Sequence, residues 1–338
     1  MKKTLQDSYG RTIDYLRVSL TDACNFRCVY CVSPGNTEKI EPDSILTREE
    51  ILRFVGLAAS LGVRRIRLTG GEPLLRTDIL DIVRRIKSLG LIEDLSITTN
   101  GSRLRPLLKP LKEAGLDRLN ISLDALDPDR FKKITLSDAF FEVERAFYEA
   151  VAMGFPVKLN VVAVKGLTYQ EVLKFVSIAK NNPVEVRFLE FMPLCGEAWD
   201  ADLVIPVSTI KKMCQEHLNL IPDEERGNRV AETYRVEGGQ GKIGFIGSLT
   251  ESFCDQCSRI RITADGKIKP CLFSDVEVSV GGLLKKSASD DEILQALRQA
   301  AAIKPAGNMF REEPFNPETD YKSLGQPLTN VAMKVIGG

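Results

Sequence analysis

Six short β-rich runs alternate with longer helical patterns through the first 190 or so residues of this 338-residue chain, and that alternation limits the folds open to it. The runs fall at 15–20, 64–69, 94–99, 118–123, 157–164 and 184–191. Helical patterns lie between them at 47–61, 77–89, 103–114, 139–153 and 168–180. Strands separated by helices predict a parallel sheet with right-handed crossovers, since parallel neighbours cannot be joined by a tight hairpin. Six units fall short of a closed eight-stranded barrel. The expectation is an α/β fold, an incomplete (βα)6 TIM-type barrel with a C-terminal β-containing extension; a doubly wound sheet is the alternative. After residue 191 the pattern changes to a loop at 192–206, a helix at 207–218, a polar stretch at 222–228 and glycine-rich β-like runs at 230–273. One more helix is expected at 290–301, with an irregular tail from Lys304. Two regions are therefore expected, 1–206 and 207–338.

The distinctive residues sit where predicted strands end. Cys24, Cys28 and Cys31 follow the first, spaced Cys-x3-Cys-x2-Cys, with Tyr30 before the third cysteine. Gly70-Gly71-Glu72-Pro73 follows the second strand, Thr98-Thr99-Asn100-Gly101 closes the third and Ser122-Leu123-Asp124 the fourth. Each alone reads equally well as a turn or helix start. Four in series at the carboxyl ends of parallel strands mark the crevice where such folds bind ligands. Three thiolates are one ligand short of a closed site, which points to a [4Fe-4S] cluster with one iron left open. Cys254, Cys257 and Cys271, spaced Cys-x2-Cys-x13-Cys, repeat the deficit. Structural zinc normally takes four ligands, so zinc at this second triplet stays open but incomplete. Cys195 and Cys214 stand apart and are expected to be buried apolar residues. The single histidine, His217, is expected to pack or face solvent, which weakens any reading built on a histidine base.

Lysine plus arginine equals aspartate plus glutamate at 46 each, so no global field draws in nucleic acid or an anionic membrane. An anionic ligand would need a local cluster of bases, and the strands offer one. Arg17 and Ser19 alternate with Leu16 and Val18; Arg67 and Thr69 share a parity, as do Lys158 and Asn160. Facing inward they would make a cationic interior suited to phosphate; at strand ends they would reach solvent. Arg259 and Arg261 flank Ile260 beside the second triplet, where two guanidiniums on one face could fork onto phosphate oxygens. No apolar run approaches the roughly 20 residues that span a bilayer. The start, MKKTLQDSYG, lacks the apolar core of a signal peptide. A cytoplasmic protein is expected, one whose eight cysteines are not structural disulfides.

The first triplet with its aromatic, followed by GGEP, resembles the radical S-adenosylmethionine (SAM) superfamily. The stretches GRTIDYLRVSLTDACNFRCVYC, RLTGGEPLLR, TTNG, NISLDAL, VKLNVVAVKG and RFLEFMPL carry the likeness further. With the second triplet, its arginines and the Gly337-Gly338 end, the chain resembles the GTP 3',8-cyclase family of molybdenum cofactor biosynthesis from about Gly10 onward. The resemblance implies two [4Fe-4S] clusters in a partial barrel. Cys24, Cys28 and Cys31 would hold the first, whose open iron chelates SAM, with Tyr30, Gly71, Ser122 and Met192 lining the SAM site. Cys254, Cys257 and Cys271 would hold the second, whose open iron faces the guanine of GTP. Arg17, Arg67, Thr98, Lys158, Arg259, Ile260 and Arg261 would contact GTP, and Gly337 and Gly338 would reach into the site.

The implied chemistry is cleavage of SAM to methionine and a 5'-deoxyadenosyl radical, hydrogen abstraction at C3' of GTP, and attack of C3' on C8. The implied partners are a reductant such as flavodoxin or ferredoxin and a downstream cyclic pyranopterin monophosphate synthase, with a homodimer allowed. Ser258 and Asn308 depart from the residues common in that family, as does the lack of an arginine before the tail. A peptide-modifying radical SAM enzyme and a non-catalytic metal or iron–sulfur protein are the rivals. The first usually carries more cysteines, and the second leaves GGEP and the inward bases unexplained.

Overall fold

The computed structural model describes residues 4–31, 39–166, 169–194, 200–216, 218–223, 230–251, 253–286 and 288–307. The expectations for Cys195, His217, Asn308, Gly337 and Gly338 lie outside the described residues. All six expected strands form: β1 Tyr15–Ser19, β2 Arg65–Thr69, β3 Asp94–Thr99, β4 Arg118–Ser122, β5 Val157–Ala163 and β6 Val184–Glu190. Between them run α1 Arg48–Ser60, α2 Ile79–Ser88, α3 Leu108–Glu113, α4 Pro128–Thr135, α5 Phe140–Ala152 and α6 Tyr169–Asn181.

Two of these helices differ from expectation for local reasons. The helix expected at 103–114 splits, because Pro106 favours a 3-10 turn at Arg105–Leu107 before α3 begins. Helix α4 was not expected at all. Its start is encoded locally, by the Asp127 side chain accepting from the Arg130 amide and by Pro128 at the first helical position.

The chain continues through α7 Val207–Gln215, β7 Leu220–Pro222, β8 Glu232–Val236, β9 Lys242–Ile246, β10 Arg259–Ile262, β11 Lys267–Lys269, β12 Val278–Ser279, α8 Gly281–Lys285 and α9 Asp290–Ala302. Among the described residues all twelve strands form one sheet, ordered β12-β11-β10-β1-β2-β3-β4-β5-β6-β9-β8-β7. Strands β1 to β6 lie in sequence order and are parallel throughout. A doubly wound sheet would reverse its order at a switch point, so that alternative falls.

The C-terminal part does more than add hairpins, as β10 pairs parallel with β1 and β9 parallel with β6. The six-stranded parallel sheet thereby gains a parallel strand at each edge. Among the described residues no ladder joins β9 to β10, so the barrel stays open there. The outward faces pack on the helices: Leu16, Val18, Ile66, Leu68, Ile97, Leu119, Ile121 and Leu159 are buried with Phe54 and Val55 of α1 and Phe147 of α5. The inward faces are polar, and the expected reach to solvent at strand ends does not account for them, since Arg67 is only 7% exposed and Asn120 fully buried.

Candidate functional site

The first cysteine triplet lies on the loop that leaves β1, and the GGEP turn after β2 is its seat. A side chain at Gly70 would place its Cβ 2.4 Å from the Thr21 carbonyl oxygen, and one at Gly71 would place it 2.1 Å from that of Ala23. Only glycine lets the two backbones touch, and Gly70 also holds a φ of 132° that other residues rarely adopt. The contact is hydrogen-bonded: the Gly71 amide donates to Thr21 at 2.7 Å and the Glu72 amide to Ala23 at 2.8 Å. Glu72 then ties this seat to the TTNG turn, accepting from the amides of Leu74 and Asn100 and from the Thr99 hydroxyl. Burial raises the Glu72 carboxyl to about 7, against the pull of those donors. Asn100 in turn donates to Asn25 at 3.0 Å and faces the Cys24 sulfur at 3.9 Å.

Tyr30 and Asp124 form the other side of this half. The Tyr30 hydroxyl donates to Asp124 at 2.6 Å, and the Val162 amide donates to the other carboxyl oxygen at 2.8 Å. Burial raises Asp124 to about 6, and it raises Tyr30 and Cys28 well above their ordinary values, with Asp124 adding to both. Gly71, Ser122 and Met192, expected beside SAM, line the same cavity as Tyr30.

Across the cavity the register of parallel strands lines up guanidiniums. Arg17 on β1 sits opposite Arg261 on β10 and Arg67 on β2. Neighbouring strands are about 4.8 Å apart, so three arginines project side by side from one face. Burial and neighbouring guanidiniums lower all three: Arg67, beside Arg118 and Arg187, and Arg261, beside Arg259 and Arg67, to about 10, and Arg17, beside Arg261 and Arg67, well below its ordinary value. Tyr15 reports the same field. Burial alone would raise its phenol, yet Arg67, Arg17 and Arg118 bring it down to about 7. The Nε atoms of Arg17 and Arg67 and the Thr98 hydroxyl are buried without a hydrogen-bond partner among the described residues, donors placed where an anionic ligand would satisfy them.

Lys158 and Ile260 do not line this cavity. Lys158 is half-buried 2.8 Å from Glu185, with burial and Arg187 lowering its amine to about 8. Glu185 also pairs with Arg187, which does reach the cavity. Ile260 is buried in the apolar core, as its alternation with Arg259 and Arg261 requires. The inference from sequence missed Arg187, although its parity with Glu185 in VEVRFLE was the available signal.

The second triplet closes the arginine side. Burial would raise the Cys257 thiol, but Arg259 and Lys304 outweigh it and lower it to about 6; Arg259 donates to the sulfur at 3.4 Å and lies over the Phe253 ring. Arg11 donates to the Cys254 carbonyl at 2.8 Å. The roles of Glu72, Asp124, Arg11 and Lys304 were not read from sequence. Arg11 and Lys304 act across more than 200 and more than 30 residues, so no local pattern reveals them.

All six triplet cysteines line one cavity, and the described cysteines are free thiols. Among the described residues no three Cys, His, Asp or Glu side chains converge as a single metal ion requires. A cubane spreads its ligands over separate irons, and two sets of three thiols fit that wider donor set.

Residues 18–179 match the radical SAM superfamily, and residues 184–310 match Molybdenum Cofactor Synthesis C. The fold is similar to that of Streptococcus suis SuiB bound to S-adenosylmethionine, with a TM-score of 0.60 at 15% identity, over 98% of this chain and 74% of that one. Fold and cysteine loop together define the radical SAM class. Within it, the chain is 40% identical to the GTP 3',8-cyclase of Thermodesulfovibrio yellowstonii, over 93% of its own length and 98% of that protein's. It is 42% identical to the GTP 3',8-cyclase of Lactiplantibacillus plantarum, over 99% of each. The chain belongs to the GTP 3',8-cyclase family.

Proposed function

We infer that this enzyme uses SAM and two [4Fe-4S] clusters to convert GTP to (8S)-3',8-cyclo-7,8-dihydroguanosine 5'-triphosphate, the first step of molybdenum cofactor biosynthesis. The observation that carries the reading is one cavity with a cysteine triplet on each side and an arginine row between. Cys24, Cys28 and Cys31 would hold one cluster, and Cys254, Cys257 and Cys271 the other. When bound and reduced, the first cluster supplies an electron that cleaves SAM to methionine and a 5'-deoxyadenosyl radical.

The chain's own residues then bind, orient and exclude water. SAM carries a sulfonium and an ammonium, and the half lined by Tyr30, Gly71, Ser122 and Met192 presents the carboxyls of Asp124 and Glu72. GTP carries its triphosphate to Arg17, Arg67, Arg259 and Arg261, with Arg187 added and Thr98 as a neutral donor. Lys158 acts from behind, through the Glu185 pair that orients Arg187. The core barrel, 1–206, would hold the first cluster, and 207–338 the second cluster and the Gly-Gly tail. Gly337 and Gly338, a reductant such as flavodoxin or ferredoxin, the downstream synthase and a cytoplasmic setting complete the proposal. No described helix is long and apolar enough to cross a membrane.

Anaerobic incubation of the reconstituted enzyme with GTP, SAM and a strong reductant tests this. The expected products are 5'-deoxyadenosine and the cyclised nucleotide, from a chain holding about eight irons. Formation of 5'-deoxyadenosine without any cyclised nucleotide would reject the cyclase reading and leave the superfamily standing.

A further inference from the structure

Lys304 is only 3% exposed, yet among the described residues it has no carboxylate partner. A fully buried lysine is rare unless something pairs with its charge. Its ammonium donates to the carbonyls of Arg259, at 2.9 Å, and Pro270, at 2.7 Å. Pro270 directly precedes Cys271, and Arg259 follows Cys257 by two residues. One cation thus pins the backbone beside two ligand positions that are far apart in sequence. Lys304 also lines the cavity together with Cys254, Cys257 and Cys271.

The third ligand position is tied to the same segment. Arg11, held by Asp7, donates to the carbonyls of Cys254, Pro305 and Ala306. Residues 304–306, just past α9, are thus tied to the backbone beside Cys257 and Cys271 directly and to Cys254 through Arg11. A [4Fe-4S] cluster held by the three thiolates would be anionic in its oxidised resting form, and Lys304 would supply a positive partner for it.

We propose that Lys304 is a positioning residue of the second cluster: it holds Cys257, Cys271 and the Arg259–Arg261 strand in one frame, and its charge raises that cluster's reduction potential. The proposal rests on the reading of the second triplet as a cluster site and adds a residue and a regulating charge to it.

The test compares Lys304, Lys304→Met and Lys304→Arg in a chain carrying Cys28→Ala, so that only the second triplet's iron is observed. The readouts are iron content, midpoint potential followed by electron paramagnetic resonance, and GTP affinity. Lys304→Met is expected to shift the potential negative and to weaken GTP binding at least about fivefold, because the arginine strand loses its anchor. Lys304→Arg should restore the potential, which a mere packing role would not do. Loss of iron in Lys304→Met with an unchanged melting temperature supports the positioning role. If Lys304→Met does not fold, Lys304→Gln, which keeps a donor and drops the charge, is judged by the same potential. An unchanged potential and GTP affinity in the neutral variant that folds would overturn the proposal. Absence of iron from the second triplet of the Lys304 chain would instead overturn the cluster reading, and this proposal with it.

Discussion

The two cysteine triplets face one cavity with the same number of thiols and opposite surroundings. The first is seated on backbone, with Gly70 and Gly71 in direct contact with its loop and the buried carboxyls of Glu72 and Asp124 around it. The second is surrounded by cations, Arg259 and Lys304 beside Cys257 and Arg11 on the Cys254 carbonyl. The consequence shows in the thiols: Cys28 is pushed well up by burial and Asp124, whereas Cys257 comes down to about 6. These surroundings suit a cationic co-substrate on the first side and a polyanionic one on the second, as the proposed function requires. On the proposed reading, ligand choice at these triplets would follow the charge beside the cysteines more than their spacing.

The comparison breaks most sharply on the ligands themselves. Cys28→Ala should abolish 5'-deoxyadenosine formation while GTP affinity, measured by equilibrium binding, stays within about twofold, as expected for distant sites. Cys28→Ala necessarily loses the cyclised nucleotide as well, whereas Cys257→Ala should keep SAM cleavage and lose only the cyclised nucleotide. Loss of SAM cleavage in Cys257→Ala, or of GTP affinity in Cys28→Ala, would mean that the two halves are not separable.

Gly71→Ala comes next. Its methyl would meet the Ala23 carbonyl at 2.1 Å, a contact that backbone must move to relieve. Iron analysis should show the first triplet's share lost and the second's kept, in a chain that still melts cooperatively. Full iron content in this variant would show that the GGEP turn does not seat the loop.

Arg261→Ala sharpens the cationic side. A hydrogen bond to a charged group contributes about 1.5–3 kcal/mol, so GTP should bind about 10- to 100-fold more weakly, with SAM affinity unaltered. The same row predicts that Arg17→Met melts at a higher temperature than the native chain without GTP, because it relieves repulsion from Arg261 and Arg67. A lower melting temperature would show that Arg17 is stabilised by something other than a bound anion.

The smallest effect concerns Glu72. Its carboxyl titrates near 7 in the fold, against an ordinary value of 4.5. The native state therefore holds a proton that the unfolded chain has lost, and stability should fall as pH rises from about 4.5 to about 7 and level off above, by about 1–3 kcal/mol. Glu72→Gln should flatten that slope in pH-dependent denaturation and lose one hydrogen bond, since both carboxyl oxygens accept donors. An unchanged slope would place the titrating group elsewhere.

Most of the first half was legible because its signals are local. Period-two alternation put Arg17 and Arg67 inside, and the turns at Gly70-Gly71 and Thr98–Gly101 stood at strand ends before any pairing was known. Helix α4 was equally local in its Asp127 cap and was simply not read. The second half was less legible for a different reason. Strand β9 is a short run among glycines and β10 a four-residue run after the second triplet begins, and nothing in their residues says that one will pair with β6 and the other with β1.

By itself the sequence determined six parallel strand–helix units, two incomplete thiol sites and the parity of the charged residues, because periodicity and spacing are properties of neighbours along the chain. Only the tertiary structure decided that Arg261 stands beside Arg17, that Ile260 and Lys158 stay off the cavity wall, and that Arg11 and Lys304 meet the second triplet. Those outcomes depend on strand register and on contacts between distant segments, which only the packed whole selects.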